Sequence, residues 1–263
     1  MLHWDCEDKI REKGKNMKEL CAVVLAAGQG KRMGAAEAGI PKVMFEVLGK
    51  PMIRYAVDHL HQAGVDNIIL VVGFQKEKVM EYFGDEMKYA IQDEQLGTGH
   101  AVAQARDQAL HHYQATLVHY GDHVLYQPDT IKKLVDVYEK EQPTIAMLTN
   151  FFDDPMRYAF GRIIRNQEGE IIGSCEQKDC TPEQLKIKEC NPCFYIFNTK
   201  WLFENLEKLK NDNSQGEYYL TDLVGLAVEQ GKKISSVTVD DWRQVIGINN
   251  PEHLKEVEKY LEE

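Results

Sequence analysis

The chain has 263 residues, of which 43% are hydrophobic, and a formal net charge of −11, so its length supports one substantial core. Because Lys and Arg supply most of the affinity of proteins for nucleic-acid phosphates, this acidic balance argues against a nucleic-acid partner. The longest apolar runs are far too short to span a bilayer, which argues against a membrane protein.

Residues 1–17 are a charged N-terminal extension ahead of the first predicted strand. They contain no apolar stretch of the kind that a secretory signal requires, so we expect a cytoplasmic protein. Since the cytosol keeps thiols reduced, we expect the six cysteines to be free. Residues 18–263 are predicted to form a single domain.

Strand-like and helical patterns alternate in the first part of this domain, residues 18–150. Strands are predicted at 21–27, 67–72, 89–92, 115–120 and 144–148, and helices at 51–63, 75–83, 99–111 and 128–141. Such alternation is typical of βαβ units with right-handed crossovers. The sequence therefore predicts an α/β fold: a Rossmann-like, mostly parallel sheet with helices on both faces. Ligands of such sheets bind at the carboxyl ends of the strands.

The pattern changes in residues 151–263. Strands are predicted at 160–165 and 170–175 on either side of a hairpin turn, then at 191–197 and 234–239. Helices are predicted at 200–209, 218–229 and 251–261. We interpret this part as a C-terminal lobe of the same domain.

A glycine-rich turn follows the first predicted strand and has the sequence Leu25-Ala26-Ala27-Gly28-Gln29-Gly30-Lys31-Arg32-Met33. Small residues let backbone N–H groups approach phosphate oxygens, and Lys31, Arg32 and Lys42 add positive charge. A Walker A loop would need Ser or Thr where Arg32 stands, and the dinucleotide fingerprint would need glycine where Met33 stands. An ordinary strand-to-helix turn stays open as an alternative.

Several segments resemble, in the same order, those of the sugar-1-phosphate nucleotidyltransferase family. They are the glycine-rich turn, PKVM (41–44), QDEQLGTGHA (92–101), YGD (120–122), GRI (161–163), EQKD (176–179), QGEYYLTD (215–222) and GINN (247–250). Together they cover about residues 18–255 and resemble the uridyltransferase domain of the bacterial bifunctional N-acetylglucosamine-1-phosphate uridyltransferases. Those enzymes carry a second, acetyltransferase domain, and because this sequence ends before such a region we expect no acetyltransferase activity.

The resemblance implies that a sugar-phosphate oxygen attacks the α-phosphorus of UTP and that pyrophosphate leaves, a reaction that depends on positioning and charge neutralisation. The sugar phosphate would be N-acetylglucosamine-1-phosphate. Arg32 and Lys42 would be the catalytic cations, and Asp122 and Asn249 would bind Mg²⁺. The nucleotide would contact Leu25, Ala26, Ala27, Gly28, Gly30, Gln92, Gly97 and Thr98. The sugar would contact Tyr120, Gly161, Glu176 and Asn191.

Local patterns leave other interpretations of these residues open. Asp122 is also typical of a turn or helix N-cap, and Thr98 of the N-cap of the next helix. Glu176 and Asn191 are also typical of surface positions.

Departures from the family pattern leave the substrate open. Lys31 stands where Thr or Ser is common, and His123-Val124 follows the predicted metal ligand where a residue and then Pro are usual. Pro192-Cys193 follows Asn191 in place of the usual Thr-Gly, at the predicted sugar pocket. Another sugar-1-phosphate, dTTP in place of UTP, or a non-catalytic nucleotide-sugar sensor therefore stays open.

The cysteines at 175, 180, 190 and 193 suggest a zinc site as a further alternative. Cys190 and Cys193 are three apart on a predicted strand, however, and would face opposite sides unless Pro192 bends the chain. The sequence carries no signal for an oligomer interface.

Overall fold

A computed structural model of the protein describes residues 19–263, so the predicted extension at 1–17 lies outside the described residues. The strands are β1 (Leu20–Ala26), β2 (Glu46–Val47), β3 (Lys50–Pro51), β4 (Ile68–Val72), β5 (Lys88–Ile91), β6 (Ala115–Tyr120), β7 (Ile145–Phe151), β8 (Gly161–Arg165), β9 (Ile171–Cys175), β10 (Glu189–Asn191), β11 (Tyr195–Asn198) and β12 (Ile234–Thr238). The α-helices are α1 (Ala35–Ala38), α2 (Met52–Gln62), α3 (Lys76–Phe83), α4 (Thr98–Ala103), α5 (Arg106–Ala109), α6 (Pro128–Glu141), α7 (Thr199–Leu206), α8 (Asp222–Glu229) and α9 (Pro251–Glu262).

A ten-stranded sheet runs through these described residues in the order β5-β4-β1-β6-β11-β7-β10-β8-β9, and β12 pairs with β7 outside this path. Strands β5, β4, β1 and β6 pair in parallel. The pairs that involve β8, β9, β10 and β11 are antiparallel. The predicted α/β fold is confirmed, with its parallel pairs concentrated in the N-terminal part and its antiparallel pairs in the C-terminal lobe.

Strand β1 shows why the sheet lies between two helical layers. All its residues are buried, and alternate side chains of a strand face opposite sides. Ala22 and Val24 belong to one core cluster, together with residues of α2, α6 and α9. Val23 and Leu25 belong to the other, together with residues of α4, α7 and α8. The predicted placement of helices on both faces is confirmed.

Two predicted elements are interrupted in the structure. The helix predicted at 99–111 consists of α4 and α5, because Ala105 between them leaves the helical conformation with ψ 2°. The strand predicted at 191–197 is divided between β10 and β11. Pro192 cannot donate a ladder hydrogen bond, and Cys193 adopts φ 60°, which is incompatible with a regular strand.

The expectation of free cysteines is wrong for Cys175 and Cys180, which form a disulfide. The chain turns back after β9, so that their Cα atoms lie 5.6 Å apart, a normal distance for this bond. Cys21, Cys190 and Cys193 are free thiols. Two sulfurs of the suggested zinc set are thus bonded to each other, and residues 19–263 contain no group of three or more His, Cys, Asp or Glu suited to a metal ion.

The parallel register brings the ends of β1, β4, β5 and β6 to one edge of the sheet. Leu25 pairs with both Val71 and Tyr120, and Val72 pairs with Ile91. The segments that follow these strands therefore meet at this edge. Among the described helices, none has the length and apolar character needed to cross a membrane.

Candidate active site

A cleft of about 800 Å³ lies where the parallel strands end, a size typical of small-molecule sites. Its lining includes every predicted catalytic, nucleotide-binding and metal-binding residue: Arg32, Lys42, Leu25, Ala26, Ala27, Gly28, Gly30, Gln92, Gly97, Thr98, Asp122 and Asn249. Tyr120 and Glu176 of the predicted sugar contacts also line it. The structure thus brings together residues that are far apart in the sequence.

The glycine-rich turn packs closely against the segment that carries Lys42. Gly30 has φ 59°, and a Cβ added to it would lie 2.6 Å from the Cβ of Lys42. Only glycine combines this left-handed conformation with so close an approach. Gly30 therefore fixes the conformation of the turn and its close packing against Lys42. Because Arg32 lies two positions after Gly30, the same glycine fixes the distance between Arg32 and Lys42.

Hydrogen bonds connect all four of the predicted catalytic and metal-binding residues. Lys42 Nζ donates to Asp122 Oδ2 and, at 3.1 Å, to Asn249 Oδ1. Arg32 Nη2 donates to the same Asn249 oxygen at 3.2 Å. Ionised groups strengthen such bonds. We name Arg32, Lys42, Asp122 and Asn249 the charged cluster.

Backbone contacts hold the two acceptors of the charged cluster side by side. The Ile248 N–H donates to the carbonyl of Asp122 at 3.1 Å, and this bond fixes the segment that carries Asn249. Gly247 allows the segment to pass close to His123, since an added Cβ would lie 2.6 Å from the ring Nε2. Of the two local interpretations of Asp122, the structure agrees with a turn, which follows β6, and these contacts are not those of a helix N-cap.

The carboxyl group of Asp122 stays ionised although it is buried. Burial acts to raise its pKa, but the charge of Lys42, with smaller contributions from His123 and from hydrogen bonds, outweighs burial and lowers the pKa below its ordinary value. Its Oδ1 atom is buried and has no hydrogen-bond partner. A buried, unpaired acceptor of this kind calls for a ligand.

The oxygen atoms of the charged cluster fit a divalent cation such as Mg²⁺. Asp122 supplies Oδ1, which accepts no hydrogen bond and has His123 Nε2 at 3.7 Å. The side-chain oxygen of Asn249 lies near the same lysine and would exchange its hydrogen bonds from Lys42 and Arg32 for the ion. Mg²⁺ prefers oxygen ligands and often takes only one or two from the protein, with phosphates and water completing its coordination. Binding of Mg²⁺ by Asp122 and Asn249 stays a prediction.

Gln92 and Gly97 form a buried corner of the cleft after β5. The Gln92 side chain is 3% exposed, and its Nε2 donates to the Gly97 carbonyl at 3.2 Å and approaches His100 Nδ1 at 3.0 Å. Gly97 has φ 115°, and an added Cβ would lie 2.7 Å from the backbone N and O of Tyr218. The N-cap of α4 is Gly97 rather than Thr98, whose hydroxyl instead accepts from the Leu220 N–H at 3.0 Å.

Glu176 presents a carboxylate to the cleft. Its Oε1 accepts a hydrogen bond from Thr221 Oγ1 at 2.7 Å. Burial raises the pKa of Glu176, and the Thr221 bond opposes that rise. The carboxylate is thus held at a fixed position, and it is half-buried rather than on the open surface.

Gly161 and Asn191, the other two predicted sugar contacts, are not among the lining residues and pack behind the cleft in paired strands. A Cβ at Gly161 would lie 2.9 Å from the Cys175 carbonyl, so this position requires glycine for strand packing. The amide of Asn191 donates to Ser174 and Tyr195. These bonds give Asn191 a structural role, and sugar binding by this pair stays a prediction.

Lys31, whose charge the sequence places near the phosphates, also lines the cleft. Nine further lining residues have no site role assigned from the sequence: Gln29, Val43, Gln95, Ala101, Ala159, Gln177, Lys178, Gln215 and Glu217. Lys178 Nζ donates to Gln215 Oε1 at 2.7 Å and so joins two loops of the lining. Both residues lie in segments of the family resemblance, EQKD and QGEYYLTD, and that signal could have identified them.

Residues 21–262 match a family model described as nucleotidyl transferase. The chain is 42% identical over 245 residues to the bifunctional protein GlmU of Caldanaerobacter subterraneus, an alignment that covers 93% of this chain and 52% of that protein. It is 38% identical over 240 residues to the bifunctional protein GlmU of Limosilactobacillus reuteri, covering 91% and 52%. The chain spans about half the length of these curated relatives.

Two solved structures share the fold. One is UDP-glucose pyrophosphorylase complexed with UDP-glucose, with a TM-score of 0.77, 20% identity and coverage of 92% of this chain and 97% of that one. The other is described as a glucose-1-phosphate thymidylyltransferase from Bacillus anthracis in complex with a sucrose, with a TM-score of 0.76, 22% identity and coverage of 92% and 94%. At such identities the likeness establishes the fold alone.

Proposed function

The chain belongs to the nucleotidyl transferase family, as the sequence predicts, and from this membership we propose that it transfers a uridylyl group from UTP to N-acetylglucosamine-1-phosphate. The products would be UDP-N-acetylglucosamine and pyrophosphate. The observation that carries the proposal is the charged cluster, which lies in the same cleft as the buried amide of Gln92 and the carboxylate of Glu176. The family and the relatives support an enzyme over a non-catalytic sensor.

The charged cluster would act on the phosphates. Arg32 and Lys42 would neutralise charge that builds up on the reacting phosphate and on the leaving pyrophosphate, which is the main requirement of phosphoryl and nucleotidyl transfer. Asp122 and Asn249 would hold Mg²⁺, which supplies further charge neutralisation when bound. Because Lys42 already donates to both acceptors, its ammonium is fixed before the substrate arrives.

The rest of the cleft would recognise the base and the sugar. Gln92 uses its Nε2 for the Gly97 carbonyl, which directs its side-chain oxygen to accept from the N–H of uracil. Glu176, fixed by Thr221, would accept hydrogen bonds from sugar hydroxyls. Tyr120 would contact the same sugar.

We further propose that residues 18–263 act as one domain in the cytoplasm, with the nucleotide-binding part at about 18–150 and a sugar-binding lobe at about 151–263. The ten-stranded sheet, which joins strands from both parts, supports the one-domain proposal. Nucleic acid and membrane are not proposed as partners.

The test is pyrophosphate release over a panel of substrates. UTP and dTTP are each combined with N-acetylglucosamine-1-phosphate and with glucose-1-phosphate, with Mg²⁺ or with a chelator. We expect turnover with UTP and N-acetylglucosamine-1-phosphate only when Mg²⁺ is present. Faster turnover of glucose-1-phosphate would overturn the proposed sugar, faster turnover with dTTP would overturn the base, and binding without turnover would overturn the enzyme assignment.

A further inference from the structure

The Cys175–Cys180 disulfide closes a short loop that forms part of the cleft. Cys175 ends β9, and the bonded cysteines are five positions apart. Of the residues enclosed by the cross-link, Glu176, Gln177 and Lys178 all line the cleft. We name residues 175–180 the disulfide loop. The cross-link therefore restrains the backbone that positions these three side chains.

The disulfide loop is bonded to a second segment, residues 211–221, which also lines the cleft. Lys178 donates to Gln215 at 2.7 Å, and the carboxylate of Asp179 accepts from the Ser214 N–H at 3.1 Å. Glu176 accepts from Thr221 at 2.7 Å. Glu176, Lys178 and Asp179 of the disulfide loop therefore each form a hydrogen bond with segment 211–221. The position of this segment depends on the loop.

Segment 211–221 in turn contacts the predicted base-binding turn. The Tyr218 N–H donates to the carbonyl of Leu96, and the Gly99 N–H donates to the carbonyl of Tyr218, both at 2.8 Å. Segment 211–221 thus lies between the disulfide loop and the turn that contains Gly97 and Thr98, and hydrogen bonds connect it to both. A change in the loop would act first on the sugar end of the cleft and more weakly on the nucleotide end.

Accessibility distinguishes the disulfide cysteines from Cys21 and Cys190, although the third free thiol, Cys193, is half-buried as they are. Cys175 and Cys180 are half-buried, whereas Cys21 and Cys190 are buried. Burial also raises the pKa of Cys21 to about 12 and raises the pKa of Cys193. Because the thiolate is the reactive form, these free thiols exchange poorly. Disulfides that occur in the cytosol are usually transient or redox-sensing, and exposed ones are the more readily reduced.

We propose that the Cys175–Cys180 disulfide is a redox control on sugar-phosphate binding, an inference that rests on the proposed function of the cleft. One thiolate of a dithiol reductant attacks a sulfur of the Cys175–Cys180 bond and forms a mixed disulfide with the protein. The second thiolate of the reductant then attacks the reductant's own sulfur in this mixed disulfide and displaces the protein thiolate. Cys175 and Cys180 take up two electrons and two protons, and the reductant becomes a disulfide. In the reverse direction a low-molecular-weight disulfide accepts the two electrons and leaves as two thiols.

The oxidised protein binds the sugar phosphate more tightly, because the cross-link holds the disulfide loop ordered before the ligand arrives. After reduction, ordering the loop opposes binding. The Michaelis constant for the sugar phosphate should therefore rise on the order of threefold to tenfold in the reduced enzyme. The Michaelis constant for UTP and kcat should change by less than about twofold, since the charged cluster is not part of the loop.

The experiment compares the enzyme oxidised by a small-molecule disulfide with the enzyme reduced by dithiothreitol, with intact mass confirming the loss or gain of two hydrogens. The double variant C175S/C180S should show the Michaelis constant of the reduced enzyme under both conditions. Cys21→Ala, a matched removal of a buried thiol, should keep the full response. Equal constants in both redox states, or a response that persists in C175S/C180S, would overturn the proposal.

Hydrogen exchange supplies a readout that does not need turnover. Reduction should speed amide exchange in residues 175–180 and in residues 211–221, and not in β1 or β6. Absence of turnover with every substrate pair would refute the proposed function, while redox-dependent exchange in these two segments would still support a control of the cleft. Unchanged exchange in both segments would overturn the proposed control even in an active enzyme.

Discussion

The proposed nucleotide side of the cleft and its proposed sugar side are held in place by different kinds of interaction. On the nucleotide side, the parallel register of β1, β4, β5 and β6 determines where each turn begins, and the charged cluster spans the strand ends. On the sugar side, antiparallel strands carry loops that are joined by side-chain hydrogen bonds and one disulfide. Backbone pairing thus positions the residues proposed to act on phosphates, and side-chain contacts position those proposed to bind the sugar.

The strongest test of this difference is the substitution Lys42→Met, which removes the cation beside the buried Asp122. Breaking a buried ion pair by removing one partner leaves the other charge uncompensated, so we expect a loss of about 3–5 kcal/mol in the free energy of unfolding at neutral pH. Urea denaturation measures it. Lys132→Met, on the exposed face of α6, is the matched control and should change stability by less than about 1 kcal/mol.

The pH dependence of the same variant has a defined sign. In the wild type the pKa of Asp122 is lowered, so its pairing stabilises the fold above the ordinary pKa of aspartate and is lost as pH falls through the lowered value. Without Lys42, burial instead favours the protonated carboxyl. The stability difference between variant and wild type should therefore shrink from pH 7 to about pH 4.5. An equal difference at both pH values would contradict the role of this pair.

The sequence predicts the nucleotide side well because hydrophobic periodicity determines where buried strands and helices begin and end. Strand β6 and helix α6 have the predicted bounds, Ala115–Tyr120 and Pro128–Glu141. The family resemblance then selects polar residues at the strand ends, and the structure brings Lys42, Asp122 and Asn249 together across separations of 80 and 207 residues. Periodicity alone would not reveal such a distant contact.

The sugar side is less predictable because its contacts depend on how loops fold back. The Cys175–Cys180 bond requires a chain reversal that cysteine spacing alone does not specify, and the Lys178–Gln215 bond joins loops 37 residues apart. The resemblance predicts that Asn191 contacts the sugar, and no local pattern would show that its amide donates to Ser174 and Tyr195. These contacts depend on how side chains meet in the folded protein, and a local sequence pattern does not encode that geometry.

The next largest effect should come from Asp122→Asn, which keeps the size of the side chain and removes its charge. We expect kcat to fall on the order of 10²-fold to 10³-fold, since one group that organises charge at the reacting phosphate is lost. The protein should stay folded, as judged by circular dichroism. Asp129→Asn, an exposed residue in the first turn of α6, should keep wild-type turnover. An Asp122→Asn enzyme within tenfold of wild type would remove Asp122 from the proposed chemistry.

A separate effect on the sugar side should follow from Glu176→Gln. Hydrogen bonds to charged groups are stronger than neutral ones, so we expect the Michaelis constant for the sugar phosphate to rise on the order of 10-fold to 100-fold. The constant for UTP should stay within about threefold, because the side chain is not part of the charged cluster. Glu183→Gln, exposed and paired with Lys186, is the matched control. Equal increases for both substrates would show that the two sides are not separable.

The last prediction concerns the place where the two sides touch. Gly97→Ala and Gly169→Ala both put a Cβ on a residue with positive φ, 115° and 85°, so backbone strain should cost each variant about 1–3 kcal/mol of stability. Only at Gly97 would the new Cβ meet another segment, 2.7 Å from the Tyr218 backbone, while nothing lies within 4 Å at Gly169. Overpacking should add about 1–3 kcal/mol at Gly97 alone.

Thermal or urea unfolding of the two glycine variants therefore measures the rigidity of this junction directly. If Gly97→Ala is the less stable of the two and also weakens binding of UTP, then the packing of Tyr218 against the base-binding turn is part of the nucleotide site. Because Tyr218 belongs to segment 211–221, that result would make the sugar-side loops a support for base recognition. Equal stability of the two variants would instead mean that segment 211–221 yields to the new methyl group, and that the two sides of the cleft move independently.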